Sequence, residues 1–203
     1  MSLDANFAAL IGSRICHDLI SPIGAINNGL ELIGMTTPSL GPEMALISES
    51  VTNASARIRF FRIAFGAVSE QLVGRPEVVS ILKDVYAETR LTVNWTLATG
   101  LQRREVRLAF LALMCLETGM PYGGRIEVAH DGSSVILTGH ADKFKIEGAL
   151  WDLLEGAPQY ADVRPAHVQF GLLPVLTLES GFTTDLERTE NMLTIRLSPP
   201  RST

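Results

Sequence analysis

The sequence predicts an α+β protein in two parts, an N-terminal helical hairpin over residues 1–73 and an α/β domain over residues 76–203. Three observations carry that division. Apolar residues recur every three or four positions up to Val68, a polar stretch holding Gly74 and Pro76 follows, and short alternating runs then interleave with helical ones.

The first helix is set by Leu19, Ile23, Ile26, Leu30 and Ile33, which step by four, three, four and three, the spacing of a bundle-forming stripe. Pro22 lies inside this pattern and cannot donate to the carbonyl of Asp18, so the helix kinks or loosens there. A stop at Ser21 is the alternative, but the apolar spacing continues in phase across the proline, which favours a continuous helix. Met44, Ile47, Val51, Ala54, Ile58, Phe61, Phe65 and Val68 form a second stripe with the same alternation. Thr36 to Pro42, with two prolines and a glycine, reads as the tight connection between antiparallel neighbours. Stripes this long are best covered by a second copy of the hairpin, giving a homodimeric four-helix bundle. Pairing within the chain, against the C-terminal half, is the alternative.

The second part reads as helix, strand and hairpin in turn. Val78 to Ala87 is a short helix, Leu91 to Leu97 a strand, and Glu105 to Glu117 a strongly apolar, buried helix. Arg125 to Ala129 and Ser134 to Thr138 flank His130-Asp131-Gly132-Ser133 as a hairpin. Ile146 to Leu154 and Val168 to Leu178 read as helices, the second open to interruption at Pro174, and Thr184 to Glu187 with Met192 to Leu197 close the domain as a hairpin. The sum is a mixed sheet covered on one face. Trp95 and Trp151 are assigned to the core, and His130, His140 and His167 are assigned no role.

Composition narrows the function classes. The chain has 203 residues, 46% hydrophobic and 19% charged, with a formal charge of −5. That balance offers no basic footprint for nucleic acid. The longest apolar run, Leu108 to Leu116, is far below the roughly 18 to 20 residues of a membrane span. The start, Met-Ser-Leu-Asp, lacks a basic segment before an apolar one, so a cytoplasmic location is expected. Cys16 and Cys115 are the only cysteines, which argues against disulfides and zinc.

Chemistry concentrates in Cys16-His17-Asp18-Leu19-Ile20-Ser21-Pro22. At about 100° per residue, His17 falls roughly 160° from the centre of the apolar stripe and is expected to face water. Arg14, Ser21, Gly24 and Asn28 share its side, the small ones leaving room for a partner's surface. Reflection through a loop centred near residue 39 brings Arg57, Arg59 and Arg62 to the level of His17, either to meet phosphate or acidic partner residues or as an ordinary solvated basic face.

His17-Asp18-Leu19-x-x-Pro22 with Ala25-Ile26 and Leu30-Glu31-Leu32 resembles the phosphoacceptor motif of sensor histidine kinases, whose dimerising hairpins precede an ATP-binding domain. Pro121-Tyr122-Gly123-Gly124-Arg125-Ile126-Glu127-Val128 is similar to the kinase stretch after the asparagine box. In that register the magnesium-binding asparagine falls on Cys115, which offers no oxygen to a hard cation. Thr138 to Lys143 and His167 to Leu173 stand where the kinases carry nucleotide boxes; the first lacks their pattern of an aspartate and two glycines, and the second keeps one glycine of several. The whole, from Ile15 to Leu32 and on through a degenerate ATPase-like domain, resembles the ChpT-type histidine phosphotransferases of alphaproteobacterial phosphorelays.

The resemblance implies a phosphoryl carrier without autokinase activity. A receiver-domain phosphoaspartate of a hybrid histidine kinase gives its phosphoryl group to His17, which passes it to a response regulator. His17 and Asp18 are the candidate catalytic residues, Asp18 as an acceptor for the imidazole Nδ1 proton. Arg14, Ser21, Gly24, Asn28, Arg57, Arg59 and Arg62 are the candidate receiver-docking residues. No cofactor is expected on this chain, the Mg²⁺ arriving on the partner receiver. The alternatives are a non-catalytic dimeric scaffold or kinase antagonist, and a kinase with unusual nucleotide binding.

Overall fold

The computed structural model describes residues 11, 14, 15, 18, 19, 22–26, 28, 29, 42–66, 71–156 and 163–199, apart from the side chains of 43, 45 and 48. The expected connection over Thr36 to Gly41 and the stripe residues Leu30, Ile33 and Val68 lie outside them. The described residues between 11 and 29, here called α1, are helical on both sides of Pro22. The helix α2 spans Pro42–Ala64.

The C-terminal part follows in the order β1 (Leu72–Val73), α3 (Arg75–Tyr86), β2 (Leu91–Trp95), β3 (Leu101–Gln102), α4 (Arg103–Gly119), β4 (Gly124–His130), β5 (Val135–His140), α5 (Gly148–Leu154), α6 (Val168–Glu179), β6 (Thr183–Arg188) and β7 (Met192–Ser198). Five strands form one mixed sheet in the order β2-β4-β5-β7-β6. The β2–β4 pair is parallel and the other pairs are antiparallel. Two short strands, β1 and β3, which the sequence reading did not include, pair antiparallel.

Local chemistry accounts for the turns. The parallel pairing of Leu91 with Gly124 demands two glycines, because Gly123 and Gly124 have φ of 101° and 142°. A Cβ on Gly124 would fall 2.3 Å from the carbonyl oxygen of His140. Between β4 and β5, Oδ1 of Asp131 accepts from the amides of Ser133 and Ser134 at 3.1 and 2.9 Å, closing the hairpin as an Asx turn. Pro174 does not interrupt α6, whose Thr177 hydroxyl donates to the carbonyls of Leu173 and Pro174, both at 2.9 Å.

The core is continuous from Ala56 on α2 to Leu197 on β7. At its centre runs α4, with Leu108 through Leu116 all buried, as befits a helix apolar on every side. This helix packs against β5 and β7 of the sheet and against α6 and α2. Alternation sends Ile126 and Val128 of β4 and Val135 and Leu137 of β5 inward. Trp95 and Trp151 are buried, as their apolar settings require.

The hairpin stripes divide differently from their expected use. On α2, Phe60, Phe61, Ile63 and Ala64 are buried within the chain, so Phe61 belongs to the chain's own core. Met44, Val51 and Ile58, seven residues apart, stay exposed. On α1, Ile11 and Ile15 pack on the core, whereas Ile23 of the expected buried stripe is exposed. The face that α1 turns to α2 carries Asp18, Pro22 and Ala25, which line a groove opposite Ser50, Asn53 and Arg57. Both arrangements have one cause: a helix with two apolar faces satisfies one within the chain and leaves the other.

Candidate functional site

His17 and Ser21 lie outside the described residues, so the site is built from Asp18 and its surroundings. Asp18 sits one turn beyond Arg14 on α1, and their side chains form an i,i+4 ion pair with Arg14 Nε 2.8 Å from Oδ2 of Asp18. Arg57 reaches the same oxygen from α2 at 3.7 Å. Its own Nε donates to Oδ1 of Asn53, one turn earlier, at 3.2 Å, which fixes the guanidinium over the groove. The Asp18 carboxylate therefore lies between two guanidinium groups from two helices.

Arg14 does not face water as the helical projection predicted. Its NH1 donates at 2.9 Å to the carbonyl of Ala166, in the 3-10 turn Pro165–His167 that leads into α6. The projection used only the expected stripe and had no knowledge of the surface that packs on α1 from the C-terminal part.

Beneath this pair lies a second polar layer that sequence reasoning missed. The Tyr86 hydroxyl of α3 donates to Oε2 of Glu117 on α4 at 3.5 Å. Burial raises the Glu117 carboxyl above its ordinary 4.5, against the pull of Arg57 and Arg14. Burial, and then the Glu117 charge, push the Tyr86 hydroxyl well above 10.0. The available signal was a carboxylate at the end of a helix otherwise apolar from Leu108 to Leu116.

The other candidate residues separate. Gly24 opens onto free space, since a Cβ there would meet nothing within 4 Å. Asn28 is exposed on the same helix. Arg59 is turned toward α3, its NH2 2.5 Å from Oδ2 of Asp84. Arg62 is exposed, and its carbonyl accepts from Arg103 of α4 at 2.9 Å. Thus Arg14 and Arg57 converge on Asp18, while Gly24, Asn28 and Arg62 are left on the surface.

Residues 75–192 match the model of the histidine phosphotransferase C-terminal domain. The chain is also 31% identical over 191 residues to the protein phosphotransferase ChpT of Brucella abortus (strain 2308), covering 91% of each. It belongs to the histidine phosphotransferase family. A solved bacterial phosphotransferase shares the fold of this histidine phosphotransferase with a TM-score of 0.83 and 30% identity, over 98% of both chains.

The C-terminal part of this histidine phosphotransferase is closely packed around α4 and the start of α6. Cys115 is fully buried in α4, and burial raises its thiol pKa well above the ordinary value, which keeps it uncharged. One turn on, Gly119 meets Trp151 of α5 so closely that a Cβ would lie 2.9 Å from the indole ring. Trp151 in turn packs edge-on against Phe170, with ring centroids 5.1 Å apart. The stretch from Val168 to Leu173 forms the buried first half of α6, where the Gln169 amide donates to Thr118 Oγ1 at 2.9 Å. Among the described residues, no group of three or more His, Cys, Asp or Glu side chains could hold a metal ion, and no helix is long and apolar enough to cross a membrane.

Proposed function

We propose that this phosphotransferase relays a phosphoryl group between receiver domains through His17. The imidazole Nε2 attacks the phosphorus of a receiver phosphoaspartate in line. The N–P bond forms as the acyl phosphate P–O bond breaks, and the receiver recovers its carboxylate. The same step in reverse loads a second receiver. An imidazole of ordinary pKa, about 6.5, is mostly neutral at pH 7 and has its lone pair available. The remaining barrier is met by positioning and charge stabilisation, with Mg²⁺ supplied on the receiver. Asp18, adjacent to His17, accepts the Nδ1 proton as a hydrogen bond.

The observation that supports the relay is the match of residues 75–192 to the histidine phosphotransferase C-terminal domain, together with the sequence His17-Asp18-Leu19 that precedes it. Receiver docking is assigned to Ser21, Gly24, Asn28 and Arg62. Arg57 and Arg59 are engaged in ion pairs with Asp18 and Asp84. The exposed Met44, Val51 and Ile58 support a homodimer, because their seven-residue spacing is that of a helical seam. The donor receiver belongs to a hybrid histidine kinase and the acceptor to a response regulator, in the cytoplasm.

The decisive experiment incubates the protein with a receiver carrying labelled phosphoaspartate. Acid-labile, alkali-stable label on the chain, then discharged by a second receiver, is the expected result. Absence of label overturns the relay.

A further inference from the structure

We propose that Arg14 is a positioning residue that locks the rotational setting of α1 to the C-terminal part, and thereby sets the rate of transfer at the adjacent His17. This rests on the relay reading above. Arg14 belongs to α1, yet one of its donors reaches a backbone carbonyl 152 residues away, at Ala166. Its Nε forms an ion pair with Asp18 on its own helix. Asp18 in turn is held from α2 by Arg57. The residue next to the phosphoacceptor is thus tied directly to α2 and, through Arg14, to the C-terminal part.

The geometry suits a lock better than a docking handle. Arg14 and Asp18 side chains are only 15% and 7% exposed, so their charges are largely withdrawn from water and depend on each other. A planar guanidinium presents donors along fixed directions, and Arg14 gives one of them to the Ala166 carbonyl while its charge pairs with Asp18. Rotation of α1 about its axis would carry residue 14 away from Ala166 and residue 18 away from Arg57 together. The Ala166 end is firm: the His167 amide donates to the Arg164 carbonyl at 2.8 Å, and the next residues, Val168 and Phe170, are fully buried. Transfer in line tolerates little misplacement of the nucleophile, so a loosened α1 slows the chemical step without weakening the receiver's hold.

The test compares the full chain with Arg14→Gln in two measurements. The first is hydrogen exchange of the unphosphorylated protein, which needs no transfer activity. Exchange is expected to rise about tenfold both in α1 and at residues 164–168, with β4, β5 and β7 unchanged. Unchanged exchange at either end overturns the lock, whatever the fate of the relay. The second is single-turnover transfer from a phosphorylated receiver over a range of receiver concentrations. The limiting rate is expected to fall at least about tenfold while the half-saturating concentration stays within about twofold. A raised half-saturation with an unchanged limiting rate makes Arg14 a docking residue and overturns the proposal. In the same assay Arg14→Gln and Asp18→Asn are expected to be non-additive, the double variant no slower than the worse single one. Additive losses overturn the coupling. A native chain that takes no label removes the relay, while the exchange measurement still decides whether Arg14 is a lock.

Discussion

Phe60 of α2 stacks on Phe110 of α4, with ring centroids 4.4 Å apart and ring planes 10° from parallel. The contact joins the helical hairpin to the central helix of the C-terminal part, and both rings are buried. Around it, Arg103 and Arg107 of α4 donate to the carbonyls of Arg62 and Ala64 at the end of α2. The hairpin and the sheet therefore share a core.

Phe60→Ala should remove this stack and leave a cavity, at a cost of about 3–5 kcal/mol. Urea unfolding followed by circular dichroism and by tryptophan fluorescence should move together, since Trp95 and Trp151 report on the C-terminal part. Separate transitions, or a loss confined to helical signal, would contradict a common core.

Ile58→Asp tests the dimer apart from the fold. Ile58 is 52% exposed in the single chain, whereas Phe61 is only 5% exposed. Aspartate at 58 should leave the thermal transition near its native value and convert a dimer to a monomer in light scattering, because a charge buried at a seam costs several kcal/mol, by an order-of-magnitude reckoning. Aspartate at 61 should unfold the chain outright. A native protein that is monomeric at micromolar concentration would remove the bundle.

Glu117 gives a pH dependence of known sign. Its folded pKa lies above the ordinary 4.5, so the folded state holds the proton more tightly than the unfolded chain. The stability this contributes is fully present below 4.5 and is lost as pH rises through the raised folded value. Glu117→Gln cannot ionise and should gain stability relative to the native chain over that window. Urea midpoints of both proteins at a series of pH values give the difference, and a difference flat with pH would refute it.

His17→Gln and His17→Ala should abolish phosphoryl acceptance while changing stability by no more than about 0.5 kcal/mol, as expected for a residue that the helical projection turns toward water. Retained acid-labile label on either variant would move the phosphoacceptor elsewhere.

Titration calorimetry with ATP and Mg²⁺ should register no binding, because Cys115 stands in the register of the metal-binding asparagine of the kinases that the chain resembles and offers no oxygen to a hard cation. Micromolar affinity would revive the kinase alternative.

The sequence by itself determined what depends on near neighbours. The run around Phe110 had to be a buried helix because no side of it is polar, and Asp131-Gly132 had to turn because an aspartate oxygen can take the amides two and three residues on. The phosphoacceptor assignment to His17 also rests on sequence, since that residue lies outside the described ones. Periodicity states which residues avoid water and is silent on the surface against which they do so. Only the tertiary structure divided the α2 stripe between the chain's own core at Phe61 and an open face at Ile58. Only it paired β1 with β3, whose two residues apiece are too few to show alternation. It also turned Arg14 from the surface onto Asp18 and Ala166, because a guanidinium goes to the acceptors that folding brings near, and the farther of these is 152 residues along the chain.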